Sequence, residues 1–439
     1  MSPISLEYAD VNCVSSYQNK QISILLNYLN KYSLYYKKLF KNNNIHELDC
    51  INVKNFHQIP ITKKNDLTAN NNEFFCVNLS DASEIVSTSG STSIKPIIHP
   101  LTRCDVERLT YNEKVSLLKA DITNKELVML MTAFDGSFIA GLAYYMGLKE
   151  IGAGILRAGS RNSNLQYDIL LEYPVTTIVG VPSNILDLYE FSKNRDKDII
   201  TGKIKKMVLI GEAIRDENLE LNQLGKRLSE YFHGTNLYST YANTETCTSF
   251  CECDYHMGGH LSPELAYAEI TDDEGNVLPD CHIGHLIITT FGAQGMPMLR
   301  YDTGDITFID HKKCRCGRTS LRIGPIMGRN EGICKIKGVT FNISVLGETI
   351  LSIPEIKDYC IVMKHNDQGG EYLQIFYYTE NGRTIDILKK LKLMIWEKFR
   401  VAAKINRCEY NNLLKMQYSR GSRKPVRYIV DYDEREGFV

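Results

Sequence analysis

The sequence predicts an α/β protein: a large N-terminal domain of parallel α/β sheets with a β-rich subdomain, then a small α+β C-terminal domain. Three observations carry this. From Leu127 to Glu212 short apolar runs alternate with helical stretches, the pattern of a parallel sheet covered on both faces. After Gly259 the runs shorten and are separated by an Asp-Glu-Gly turn, as in antiparallel strands. At Gly328-Arg329-Asn330-Glu331-Gly332 a polar, glycine-flanked junction leaves a remainder long enough to fold by itself. The expected boundaries are residues 1–328 for the large domain (β-rich part about 260–328), a junction at 329–331, and 332–439 for the small domain.

Taken in order, the stretch from Gln18 to Lys41 places Ile22, Leu25, Leu26, Leu29, Tyr32, Tyr36 and Leu39 at helical spacing, which predicts an amphipathic helix with a packing role. Next comes VSTSGSTSIKP, Val86 to Pro96. Its composition suits either a linker or a loop that holds phosphate. Ile85-Val86 and Ile97-Ile98 bracket it as short buried runs, so we read a strand-loop-strand turn inside a domain. LVMLM (from Leu127), GAGIL (from Gly152), TTIVGVP (from Thr176) and KMVLIGE (from Lys206) are the parallel strands. Ligands of such sheets lie beyond the carboxyl ends of the strands, which makes Gly211-Glu212-Ala213 a pocket edge. AYAEITDDEGNVL and GHLIITTF supply antiparallel strands, and the small domain reads as strands IVMKH and LQIFYYT with a helix from Thr384 to Arg400.

Bulk composition excludes several classes. Of 439 residues, 43% are hydrophobic and 23% charged, and 51 basic residues against 52 acidic ones leave a net charge of -1, which gives no basis for nucleic-acid binding. The N-terminus lacks the basic-then-apolar order of a secretory signal, and no apolar run reaches the roughly 18 residues of a membrane span. With 13 cysteines, this predicts a cytoplasmic protein with reduced thiols and no membrane partner.

Three further segments carry chemistry: YANTE (Tyr241 to Glu245), LRYDTGDI (Leu299 to Ile306) and GSRKPVRYIVD (Gly421 to Asp431). Separately, CECDYHMGGH holds Cys251, Cys253, His256 and His260, and CRCGR holds Cys314 and Cys316. Two soft pairs of this kind could close a tetrahedral zinc site.

In this order, the loop Ser89-Gly90-Ser91-Thr92-Ser93, Tyr241-Ala242-Asn243-Thr244-Glu245, Tyr301-Asp302-Thr303-Gly304-Asp305, Gly328-Arg329-Asn330-Glu331 and Arg423-Lys424 resemble the motifs of the adenylate-forming superfamily of acyl-CoA synthetases. The MPMLRYDTGD context and the CRCGRTSLRIGPIMGR run resemble its phenylacetate-CoA ligase branch, and the resemblance spans essentially the whole chain. Ser93, Asp302 and Asn330 depart from the usual residues.

The resemblance implies activation of a carboxylic acid by ATP to an acyl-adenylate with release of pyrophosphate, then acyl transfer to the thiol of coenzyme A. A carrier-protein phosphopantetheine or an amine is the alternative acceptor, and a non-catalytic nucleotide-binding scaffold is the alternative of another class. Two anions must meet while a third leaves, so charge neutralisation and positioning dominate the chemistry. The implied roles follow. Thr88, Ser89, Gly90, Ser91 and Thr92 cradle phosphate, with Lys95 adding charge; Glu245 holds Mg2+ and Thr244 bonds the α-phosphate; Gly211, Glu212, Ala213, Tyr241, Ala242 and Asn243 surround adenine and phosphate. Asp305 accepts the ribose hydroxyls beside Arg329, and Lys424 bridges the attacking carboxylate and the phosphate. Phe134, Asp135, Gly136, Val181 and Tyr238 line the acid pocket, whose aromatic and small residues favour an aryl or arylacetic acid.

Glu331 is the implied hinge about which a mobile C-terminal domain turns, bringing the KIKGV segment from Lys335 to the incoming thiol. The same resemblance selects Cys253, His260, Cys314 and Cys316 as ligands of a structural Zn2+, leaving Cys251 and His256 as spares. A homodimer is among the assemblies considered.

Overall fold

The computed structural model describes residues 6–88, 97–135, 137–160, 162–193, 195, 202–329, 333–336, 338–353, 355–365, 371–379, 384–417 and 427–431. Residues 1–88 and 97–330 form one compact unit, and residues 331–439 belong to a second. Among the described residues no helix is long and apolar enough to cross a membrane.

The N-terminal region opens with two helices, Val11–Tyr32 and Leu34–Asn42, where the periodicity predicts one. Ser33 is the reason: its backbone is extended and its hydroxyl accepts from the Tyr36 N–H, so it ends one helix while capping the next. Asp10 caps the first helix through the backbone N–H groups of Asn12 and Cys13. Of the predicted apolar face Ile22, Leu25, Leu26, Leu29 and Tyr36 are buried, against Phe56, Phe74 and Leu299, with Leu39 partly buried; Tyr32, at the end of the first helix, is exposed, and Phe40 is buried in addition.

The framework of the first unit is a nine-stranded sheet. Strands Gly154–Arg157, Leu127–Met131, Thr177–Gly180, Lys206–Ile210 and Asn236–Asn243 are neighbours in that order and all parallel. Their near-continuous apolar runs are needed because both faces are covered. Met129, Met131, Ile178, Met207 and Leu209 pack on one side against Tyr167, Leu170, Ile185, Leu188 and Leu228 of the helices Ser163–Glu172, Pro182–Lys193 and Gln223–Tyr231. On the other side Val128, Leu130, Val179, Val208 and Ile210 meet Leu117, Tyr144 and Leu148 of the helices Arg103–Lys119 and Ile139–Ile151. The helix after Leu127–Met131 therefore covers the opposite face from those that follow, and the strand order reverses at that strand. The run from Gly152 predicts a strand beginning there; instead Gly152, at φ 86°, terminates the preceding helix and pairing starts at Gly154.

Beyond Asn236–Asn243 the sheet continues antiparallel through Thr248–Cys251, Gly259–His260, Arg322–Ile323 and Ile309–Asp310. The β-rich region at 260–328 is thus divided. Ala266–Thr271, Gly284–Thr290, Tyr301–Thr307 and Gly328–Arg329 form a sheet of their own, whereas its remaining strands extend the large one. Periodicity marks strands but not their partners, so the division was not visible in the sequence.

The second unit contains a four-stranded sheet ordered Ala403–Arg407, Glu371–Tyr378, Asp358–His365, Tyr428–Asp431, and a hairpin Ile333–Ile336/Val339–Asn342. Ile361, Met363, Leu373 and Ile375 of the sheet pack with Leu346, Leu391, Ile395 and Phe399 of its helices in a separate core.

Candidate functional site

The hydroxyl-glycine loop springs from an antiparallel hairpin, Glu84–Ser87 with Ile98–Leu101, as its flanks predict. Thr88 closes it: its N–H donates to the Ile97 carbonyl at 3.0 Å and its Oγ1 accepts from the Ile97 N–H at 3.2 Å. Ser89, Gly90, Ser91, Thr92, Ser93 and Lys95 lie outside the described residues. On the return strand, buried His99 places Nε2 3.6 Å from the Cys247 sulfur. Burial pushes the imidazole down to about 4 and the thiol up to about 12, so both groups are neutral at ordinary pH. This contact joins the loop-bearing hairpin to the turn after Tyr241.

That turn connects the antiparallel strands Asn236–Asn243 and Thr248–Cys251. Asn243 Oδ1 accepts from the Thr246 N–H at 3.1 Å, so its side chain shapes the turn. The Arg108 guanidinium, itself buried, donates to the carbonyls of Cys247, Leu265 and Phe291 and braces the turn from beneath. Ala242 is exposed and Thr244 half-buried, while Glu245 is buried and forms an ion pair with Lys64 at 3.1 Å.

Tyr241 carries the geometry to the second sheet. Its hydroxyl donates to Asp305 Oδ2 at 2.8 Å, and its ring stacks on Phe250 with centroids 5.8 Å apart. Asp305 is fully buried, and its backbone pairs with Arg329 on the adjoining strand. Gly304 before it has φ 73°, a left-handed conformation that strains any other side chain. The Asp302 carboxylate accepts from the Gly304 N–H, so this departure from the usual residue has a local structural role. YANTE and YDTGD, far apart in sequence, therefore meet through one side-chain hydrogen bond. Lys424 and Glu331, the expected hinge residue, lie outside the described residues.

The expected acid-pocket residues occupy the carboxyl ends of adjacent parallel strands. Phe134 and Asp135 follow Leu127–Met131 and Val181 follows Thr177–Gly180, flanking the point where the strand order reverses. Gly211, at φ 81°, turns the chain out of Lys206–Ile210, and the carbonyl of Ala213 accepts from the Asn222 amide, while Glu212 lies between them. Phe134 and Asp135 are exposed, and Gly136 lies outside the described residues. The loop is tied to the hairpin Glu84–Ser87/Ile98–Leu101, since the Ser87 N–H donates to the Ser137 carbonyl at 3.0 Å. Tyr238 behaves differently: it is only 1% exposed and its hydroxyl bonds Asp254 at 2.7 Å, so it belongs to the packed interior.

Cys253, His260, Cys314 and Cys316 converge, with their ligand atoms all within 4.8 Å of one another. The sulfurs of Cys253 and Cys314 are 3.7 Å apart, and Cys316 Sγ is 3.5 Å from His260 Nε2. A tetrahedron with zinc–sulfur bonds of about 2.3 Å and zinc–nitrogen bonds of about 2.05 Å has edges of about 3.8 and 3.6 Å, so the donor set fits this metal. His260 Nδ1 lies 3.3 Å from the Ser320 hydroxyl, a contact that orients the ring. Cys251 is not in the cluster; its sulfur takes the Thr240 hydroxyl.

Sequence reasoning missed Lys64, His99 and Arg108. Lys64 sits beside Lys63 in ITKKND, His99 in an apolar strand, and Arg108 on a helix; nothing local distinguishes them.

No family model matches the chain. A phenylacetate-coenzyme A ligase of Thermus thermophilus is 27% identical over 79% of this chain and 77% of that ligase. One from Pseudomonas putida is 24% identical over 80% and 79% of the two chains. The chain is thus similar to curated phenylacetate-coenzyme A ligases over about four fifths of its length. Its fold is shared by a 2-hydroxyisobutyryl-CoA ligase, solved in complex with 2-HIB-AMP and CoA, which superposes with a TM-score of 0.86 over 98% of this chain and 92% of that one, at 16% identity.

Proposed function

We propose that this protein activates a carboxylic acid, aryl or arylacetic, with ATP to form an acyl-adenylate and pyrophosphate, and then transfers the acyl group to the thiol of coenzyme A. The observation that carries the reading is the Tyr241–Asp305 hydrogen bond, which brings the YANTE turn, with its buried Glu245, against the strand bearing YDTGD. The named ligase relatives support the same reaction class.

In the first half-reaction a carboxylate oxygen attacks the α-phosphorus, the new P–O bond forms, and the bond to the bridging oxygen breaks as pyrophosphate leaves with its electrons. Thr88 and the loop it closes would bind the leaving phosphates, and Thr244 would donate to the α-phosphate. Glu245 would hold Mg2+, which when bound neutralises phosphate charge. The ring of Tyr241, its plane held by Phe250, would stack on adenine beside Gly211, Glu212, Ala213 and Ala242, while Asp305 and Arg329 would take the ribose. Lys424 would carry the positive charge between the two reacting anions. Residues 329–331, with Glu331 as the hinge, would let the C-terminal domain turn before the thiol attacks the acyl carbon and AMP departs.

Cys253, His260, Cys314 and Cys316 would hold a structural Zn2+ that ties the extension of the large sheet to the turn between Ile309–Asp310 and Arg322–Ile323. We assign the protein to the cytoplasm, where these thiols remain reduced.

ATP–pyrophosphate exchange across a panel of carboxylic acids tests the reading. Exchange with arylacetic or aryl acids and thioester formation with CoA are expected. Exchange with none of the acids would overturn it, and a preference for fatty acids would overturn the pocket assignment.

A further inference from the structure

Among the described residues Lys64 forms an ion pair with Glu245, with Nζ 3.1 Å from Oε1. Glu245 is 4% exposed, so the pair is shielded and well placed to act on whatever enters beside it. Lys64 is also held by a prepared scaffold. The chain before it is pinned to the YDTGD strand: the Thr62 N–H donates to the Arg300 carbonyl, the Asp302 N–H donates to the Thr62 carbonyl, and Thr62 Oγ1 donates to the Leu299 carbonyl. Arg300, buried and paired with Glu269 at 3.0 Å, donates to the carbonyls of His57 and Ile59. The element that presents Asp305 thus also sets the position of Lys64.

Oxygens sharing one Mg2+ stand roughly 2.9 Å apart. At 3.1 Å from the Glu245 oxygen, the Lys64 ammonium is about as far from it as a second ligand oxygen of the same cation would be, within reach of groups that share the cation. It cannot itself ligate a metal, since it has donors only. Two consequences follow from charge. A bare divalent cation approaching Glu245 meets a fixed positive charge and is disfavoured. A cation arriving with pyrophosphate brings anionic oxygens that accept from Lys64, so the same residue becomes an attraction.

Resting on the adenylation reading above, we propose that Lys64 is a ligand of the β/γ-phosphates of ATP and of leaving pyrophosphate, and that it makes the Glu245 site accept metal and phosphate together.

The test uses the full-length protein and its Lys64→Met and Lys64→Arg variants, with Mn2+ as a magnesium probe, titrated alone and as its pyrophosphate complex by calorimetry. Lys64→Met should weaken binding of the metal–pyrophosphate complex about tenfold or more and strengthen binding of bare Mn2+. Lys64→Arg, which keeps the charge, should leave bare Mn2+ weakly bound. A purely structural role would not move the two affinities in opposite directions. Equal affinities in wild type and Lys64→Met, or both weakened together, would overturn the inference and leave the adenylation reading intact. Should Lys64→Met fail to fold, a Lys64→Arg protein that binds bare Mn2+ tightly would overturn it equally. A wild-type protein that binds neither ATP nor metal–pyrophosphate would overturn the reading itself.

Discussion

If Cys253, His260, Cys314 and Cys316 hold zinc as proposed, its removal should destabilise the protein measurably without unfolding it outright. Cys253 and Cys314 are 61 residues apart in sequence, with their sulfurs 3.7 Å apart. Treated as a cross-link over a loop of that length, the chain-entropy relation bounds the entropic part of this stabilisation at about 4 kcal/mol. At roughly 2 °C per kcal/mol for a unit of this size, the bound corresponds to a fall in Tm of about 8 °C. Elemental analysis of protein purified without chelator should find one zinc per chain, and calorimetry should show the fall for Cys316→Ser, with Cys104→Ser, at an exposed cysteine outside the cluster, as the control. A metal-free wild type of full stability, or a Cys316→Ser protein with unaltered zinc and Tm, would refute the argument.

Other substitutions probe the remaining parts. Lys424→Ala should lower the rate of adenylate formation at least about 100-fold while ATP affinity stays within about twofold, measured by pyrophosphate exchange and equilibrium binding. Tyr241→Phe removes a hydrogen bond to a buried carboxylate, worth about 1.5 kcal/mol or more, and should raise the KM for ATP about tenfold; an unchanged KM rejects the role given to this pair. Glu7 is buried, which pushes its carboxyl up, but Lys119 and Arg318 outweigh this and hold it below its ordinary value of 4.5. The stability it contributes is therefore full above that value and lost as pH falls through the lower folded one. Denaturant unfolding of Glu7→Gln should show a deficit of about 3 kcal/mol at pH 7 that narrows below pH 4.5, and a deficit independent of pH would contradict this.

Legibility in the sequence followed the range of the interaction. The parallel strands from Leu127 to Ile210 were readable because burial on both faces demands unbroken apolar runs. The convergent Cys/His quartet was readable because soft ligands are rare enough to stand out, although choosing Cys253 over Cys251 required the resemblance. The break at Ser33 was harder, since the apolar stripe continues across it and only a capping hydroxyl marks the change.

Local pattern and composition by themselves determined the fold class and the order of the main elements, because each depends on neighbours a few residues away. Only the tertiary structure decided that Tyr241 bonds Asp305, that Tyr238 is interior, and that Lys64 and His99 belong beside Glu245 and Cys247. The physical reason is that ion pairs and buried polar contacts are satisfied between residues whose separation along the chain carries no period. Their partners are fixed only when the sheets pack.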